Sequence, residues 1–127
     1  MTWLTKLERA AIEAILAEKP DHFGPLSEQL QSVTVEKREN TGGGFFTTIS
    51  VSPSTPAVII SSPLGLNVYT SVNGMEFGLG VLLFFEHGRM SLLEGYSIGG
   101  EDTSAIEFEQ VAFAIKDAPA TLHGNVR

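Results

Sequence analysis

Residues 75–100 read Met75-Glu-Phe-Gly78-Leu-Gly80-Val-Leu-Leu-Phe84-Phe-Glu86-His87-Gly88-Arg89-Met-Ser-Leu-Leu-Glu94-Gly95-Tyr96-Ser-Ile-Gly-Gly100. Two apolar runs flank His87-Gly88, and a two-residue connection closes a β-hairpin when both residues take positive φ. Glycine does so freely, and histidine is among the few other types enriched there. The turn pairs Glu86 with Arg89. Stepping outward without a break sets Phe85 opposite Met90, Leu83 opposite Leu92, Val81 opposite Glu94, Leu79 opposite Tyr96 and Phe77 opposite Ile98. Those residues share one face of a sheet. The other face then carries Phe84, Ser91, Leu82 and Leu93 near the turn, and Gly78, Gly80, Gly95 and Ser97 as a patch without bulk.

Both faces are apolar near the turn, so the reading expects cover on each side. Glycine inside a strand marks a bulge or the close approach of another group. The alanine-rich first helix (Ala10, Ala11, Ala14, Ala17) is the favoured group, with a second subunit or a ligand as alternatives. The unbroken register also sets Glu94 among Val81, Leu79, Leu92 and Tyr96, where an unpaired carboxylate costs several kcal/mol. Glu94 must then be paired, protonated or at a rim. Arg38, Arg9 and Lys37 are the candidate cations, and Tyr69 or Tyr96 the candidate donors. A buried ion pair is the favoured reading, and it predicts that Glu94→Gln costs more stability than Glu101→Gln.

Outward from the hairpin, period-two patterning predicts strands at Val33–Arg38, Phe45–Val51, Ala57–Ile60, Leu66–Val72 and Glu107–Ile115. Gly42–Gly44 breaks the first pair, and Ser52–Pro56 is a turn. Before residue 33 the period changes. Leu4, Leu7, Ala11, Ala14 and Ile15 fall on one side of a helix within Thr2–Lys19, and Thr5 with Glu8 matches a capping box. Pro20 ends that helix, and a second, short one is expected from Pro25 to Gln31. The predicted fold class is α+β: two N-terminal helices on a mainly antiparallel sheet with a long central hairpin. The expected organisation is one domain, helical over 1–31, sheet over 33–116 and a loose tail over 117–127.

Composition removes whole classes of function. The 127 residues carry no cysteine, which excludes disulfides, thiolate metal sites and a cysteine nucleophile. Eight Lys+Arg against 15 Asp+Glu give a net charge of −7, which argues against nucleic acid and anionic membrane and leaves room for a basic protein partner. The longest apolar run, Val81–Phe85, is far short of the roughly 20 residues of a spanning helix. Charged Lys6, Glu8, Arg9 and Glu13 break any signal-peptide pattern, so a cytoplasmic location is expected.

Chemical motifs are absent at recognisable spacing. His22, His87 and His123 lie too far apart to suggest a metal site, Gly78-x-Gly80 lacks a third glycine and a following helix, and no serine sits in a nucleophile elbow. No metal or cofactor is expected. Glu101-Asp102, with Glu107 and Glu109, makes an acidic segment that reads as a solvated edge or as a docking surface for a basic partner.

The stretch Gly78–Gly100 is similar to a motif in a family of small uncharacterised bacterial proteins. Those chains share a Leu/Ala-rich first helix, a Gly-Phe-Phe-Thr stretch like Gly44–Thr47 and a Leu-Glu-Gly-Tyr step like Leu93–Tyr96. The matching pieces cover about half of the chain. The resemblance implies a shared fold, and no activity comes with it. Related chains continue into an acidic Trp-Pro loop where this one has Gly99-Gly-Glu-Asp-Thr.

The leading functional expectation is a non-enzymatic protein-binding module. By analogy of size and charge it resembles immunity proteins, which mask a toxin's active site. Its expected contact residues are Glu94, Tyr96, Glu101 and Asp102, shaped by Gly78, Gly80 and Gly95. The alternative is a small hydrolase or ligand-binding enzyme with Glu94 as acid/base, assisted by Tyr96 or Tyr69. A homodimer closing the sheet edge is a third reading. An enzyme needs an enclosed pocket around Glu94, whereas a binder needs an exposed face.

Overall fold

The computed structural model describes residues 2–117; most of the tail expected at 117–127 lies outside the described residues. Thr5 caps helix α1 (Lys6–Leu16) by the expected box: the Glu8 N–H donates to Thr5 Oγ1 at 3.1 Å and the Thr5 N–H to Glu8 Oε1 at 2.8 Å. One stripe of the helix, Leu7, Ala11, Ile12, Ile15 and Leu16, is buried, and each large member contributes about 2 kcal/mol by leaving water. A 3₁₀ turn (Pro20–His22) leads into α2 (Phe23–Gln31), which buries Leu26 and Leu30. The second helix starts two residues before the expected Pro25; proline is harmless there because first-turn N–H groups have no helical partner.

Six strands then form one antiparallel sheet among the described residues: β1 (Thr34–Asn40), β2 (Gly44–Ser50), β3 (Val68–Val72), β4 (Leu79–Glu86), β5 (Arg89–Ser97) and β6 (Phe113–Asp117), in the order β1-β2-β5-β4-β3-β6. This is the α+β class expected, with the β4–β5 hairpin at the centre. His87 (φ 53°) and Gly88 (φ 78°) form its turn, and Glu86 pairs with Arg89 as read from the sequence.

The register beyond the turn departs from the unbroken one. Phe85 faces Met90, but Phe84 faces Leu92, so Ser91 is an extra residue in β5. Past this bulge Leu83 faces Leu93, Leu82 faces Glu94, Val81 faces Gly95, Gly80 faces Tyr96 and Leu79 faces Ser97. The insertion turns every residue from Leu92 onward to the opposite face from the one expected. Glu94 therefore leaves the company of Val81 and Leu79, and Gly80 and Gly95 fall on opposite faces. Phe77 lies outside β4 and is exposed.

One expected strand is absent and another is shortened. Ala57–Ile60, flanked by Pro56 and Pro63, carries one ladder-like bond, from the Val58 N–H to Gly88 O at 2.9 Å. Residues 107–112 form a turn instead, closed by the Gln110 N–H on Glu107 O, and the last strand begins only at Phe113. The alternation that suggested a strand places Ile106, Phe108 and Val111 against the margin of the core, where Phe108 meets Phe45 at 5.1 Å between ring centres.

Both helices lie on one face of the sheet. Beneath them Val35, Ile49, Leu79, Val81, Leu83, Met90 and Leu93 are buried. Gln29, fully buried on α2, fastens the hairpin turn: its Nε2 donates to Pro56 O and Gly88 O, and its Oε1 accepts from the Met90 N–H. No helix of the described residues is long and apolar enough to cross a membrane.

Candidate functional site

The other face of the sheet has no helix over it among the described residues. Pairing fixes what it presents. One row across it runs Glu39 (β1), Phe46 (β2), Glu94 (β5), Leu82 (β4). A second runs Lys37, Thr48, Leu92, Phe84, and a third runs Tyr96, Gly80, Tyr69, Lys116. Phe46, Leu82, Phe84, Leu92, Tyr69 and Tyr96 are all half-buried, whereas their neighbours on the helix-covered face are almost wholly buried. Aromatic and branched side chains thus cover the middle of this open face, with charge at its outer strands and a single carboxylate, Glu94, in the centre. Lys37, Glu39, Phe46, Thr48 and Leu92 line a groove along its β1 side.

Tyr96 and Tyr69 flank Gly80 from the two neighbouring strands, and the Tyr96 phenol lies over the glycine where a β-carbon would stand. Burial first, then the adjacent Tyr69 phenol and the charge of Glu94, holds the Tyr96 hydroxyl above the usual tyrosine range. Gly95 is covered on the opposite face by the Phe45 ring. The groups that approach Gly80 and Gly95 are therefore cross-strand aromatic rings rather than the first helix that the sequence favoured. Gly78 (φ 74°) precedes β4, and its carbonyl accepts the Ile98 N–H at 3.2 Å.

The acidic pair Glu101-Asp102 sits on the loop after β5, engaged locally. Glu101 Oε1 accepts the Glu76 N–H at 2.7 Å and its Oε2 the Phe77 N–H at 2.9 Å, tying two loops together. Asp102 Oδ1 accepts from the Ser104 N–H and Oγ, which hold its carboxyl below the usual range. Of the expected contact residues the fold brings together Glu94, Tyr96 and Gly80, adds Tyr69, turns Gly95 to the covered face, and sets Gly78, Glu101 and Asp102 outside the strands.

Arg38, proposed above as a partner for Glu94, is committed elsewhere. Its Nε donates to Glu8 Oε2 and its Nη2 to Glu8 Oε1, each at 2.8 Å, and Nη2 also reaches Trp3 O. Thr47 Oγ1 and the Thr5 N–H complete the shell of the buried carboxylate. Burial acts to raise the Glu8 pKa, but the hydrogen bonds from Arg38, Thr5 and Thr47 outweigh it and hold the carboxyl below its ordinary value. A cleft of about 150 Å³ adjoins this cluster, walled by Phe45, Phe46, Ile106 and Phe108. With four donors on its two oxygens, Glu8 is occupied as a brace between α1, β1 and β2 and has little capacity left to act as a base. The sequence signalled Glu8 as a cap, but nothing in it linked that carboxylate to Arg38 thirty residues later.

Comparison with protein-family models, with curated proteins and with solved structures gives no match.

Proposed function

We propose that this chain is a non-enzymatic protein-binding module whose contact surface is the open face of the sheet, with Glu94, Tyr96, Tyr69, Phe46, Leu82, Phe84 and Leu92 at its centre. The observation that carries the reading is the contrast between the two faces. One is sealed by helices; the other presents a contiguous run of aromatic and branched side chains with no helix upon it among the described residues. Contiguous apolar patches on a protein surface mark sites of association, and aromatic residues are enriched at the centre of such contacts. The net charge of −7 favours a basic partner through long-range steering. Glu94 lies half-buried between Phe46 and Leu82 on that face, which supports a contact surface over an acid/base site.

The test is a pull-down at low and high salt with three baits: the wild-type chain, Leu92→Ser, and Glu101→Lys/Asp102→Lys, each first shown to melt cooperatively. A partner retained by the wild type and by the loop variant but lost with Leu92→Ser supports the open face. A partner lost only with the loop variant moves the contact to the acidic segment and rejects this reading.

A further inference from the structure

We infer that the partner of the open face presents a lone cationic side chain, arginine in preference to lysine, within an otherwise apolar contact, and that Glu94 receives it. The inference rests on the open face being the contact surface.

Glu94 lies at the middle of that face, with Phe46 beside it on β2 and Leu82 beside it on β4. Leu92 and Tyr96, two positions away along its own strand, complete an apolar ring. Its carboxylate has no hydrogen bond or ion pair within the described residues, and Arg38 is held by Glu8. The lysines of the face, Lys37 and Lys116, stand on the edge strands β1 and β6. In the free protein, water solvates the half-buried carboxylate. A wholly apolar partner would strip that water and leave a buried charge unpaired, a penalty large enough to cancel much of the gain from the surrounding apolar contact.

The occupant must therefore bring its own donor and its own positive charge. Neutral donors satisfy the lone pairs but leave the charge uncompensated. A guanidinium does both, since its fork meets a carboxylate with two parallel hydrogen bonds while its flat faces stack on the neighbouring rings of Phe46 and Tyr96. A second copy is the poorer fit, because its matching face carries a carboxylate at the centre and its lysines at the two ends.

Panning short random peptides on the intact chain, then measuring the winners against variants, tests this. The expected winners carry an arginine or lysine between aromatic or aliphatic residues. Their affinity falls about tenfold with Glu94→Gln, and by a similar factor when the peptide arginine is replaced by citrulline. They are lost altogether with Leu92→Ser. Winners that need Leu92 but carry no common cation and ignore Glu94→Gln overturn the inference and leave the open face standing. Winners indifferent to both substitutions, or no winners, overturn both. A dimer of the wild type that Leu92→Ser dissociates overturns the assignment of a separate cationic partner.

Discussion

The Phe45 ring lies on the α-carbon of Gly95, its partner across the β2–β5 ladder, in the space that a β-carbon would need. Phe45 is 4% exposed and packs on Phe108, so its ring has nowhere to go. On the opposite face Tyr96 covers Gly80 in the same way, but there the contact is made by the outer end of a half-buried side chain.

The two glycines therefore respond differently to a methyl group. Gly95→Ala is expected to destabilise by about 2–3 kcal/mol, as overpacking of a closed site does. Gly80→Ala is expected to cost less than about 1 kcal/mol, because Tyr96 swings outward and alanine is the less flexible residue in the unfolded chain. Freed of burial and of its neighbours, the Tyr96 phenol should then titrate closer to the ordinary tyrosine range. Denaturant titration checks the first pair of values, and ultraviolet titration of the phenols the second.

Glu101 and Glu94 exchange the roles that the unbroken register gave them. Glu101 accepts two backbone N–H groups, whereas Glu94 accepts no hydrogen bond within the described residues. Replacing Glu101 with glutamine sets an NH₂ against one of those donors and is expected to cost about 1 kcal/mol. Glu94→Gln is expected to fall within about 0.5 kcal/mol of wild type. Urea titrations of the two variants decide the order, and a larger cost for Glu94→Gln would return that residue to the core.

What the sequence disclosed follows from how local each signal is. The His87-Gly88 turn and the Thr5/Glu8 cap are set by contacts within four residues, so their residue types announced them. The bulge at Ser91 is set by a partner strand. In the run Ser91-Leu92-Leu93 two adjacent apolar residues fit either face, and alternation alone does not say which one turns inward. One residue of slip then misplaced the faces of Glu94, Gly95 and Tyr96 together. The turn at 107–112 misled for a related reason: a loop that rests on the rim of a core also buries residues at irregular intervals. The Glu8–Arg38 pair joins a helix to a strand across the fold, and no short-range pattern carries such a contact.

That pair sets a stability dependence on pH. Folded Glu8 titrates below its ordinary 4.5, so the folded state keeps the carboxylate charged further into acid than the unfolded chain does. The stabilisation is fully present above that ordinary value and is lost as the pH falls through the lower folded value. At neutral pH, Glu8→Gln is expected to cost about 2–4 kcal/mol, moderated by the partial exposure of Arg38. The difference between variant and wild type should shrink steadily below pH 4.5, and a difference that stays constant into strong acid would remove the charge of Glu8 from the account.

The bulge itself is the remaining test, because both the open face and the covered one depend on it. Ser91 contributes a side-chain bond to Phe84 O at 3.2 Å, a half-buried contact whose loss in Ser91→Ala is expected to cost no more than about 1 kcal/mol. Deleting the residue acts on the backbone instead. With Glu86 and Arg89 still held by the turn, the shortened strand keeps Phe84 opposite Leu92, Leu83 opposite Leu93 and Leu82 opposite Glu94, so every residue from Leu92 onward keeps its face. In an unbroken strand the same deletion would reverse the face of every residue from Leu92 onward. Only that reversal would cost as much as the whole stability of a domain this size. The deletion should thus retain the cooperative thermal transition followed by circular dichroism, as Ser91→Ala does. A deletion variant without a cooperative transition would show that Ser91 is not the extra residue and would undo the assignment of the two faces.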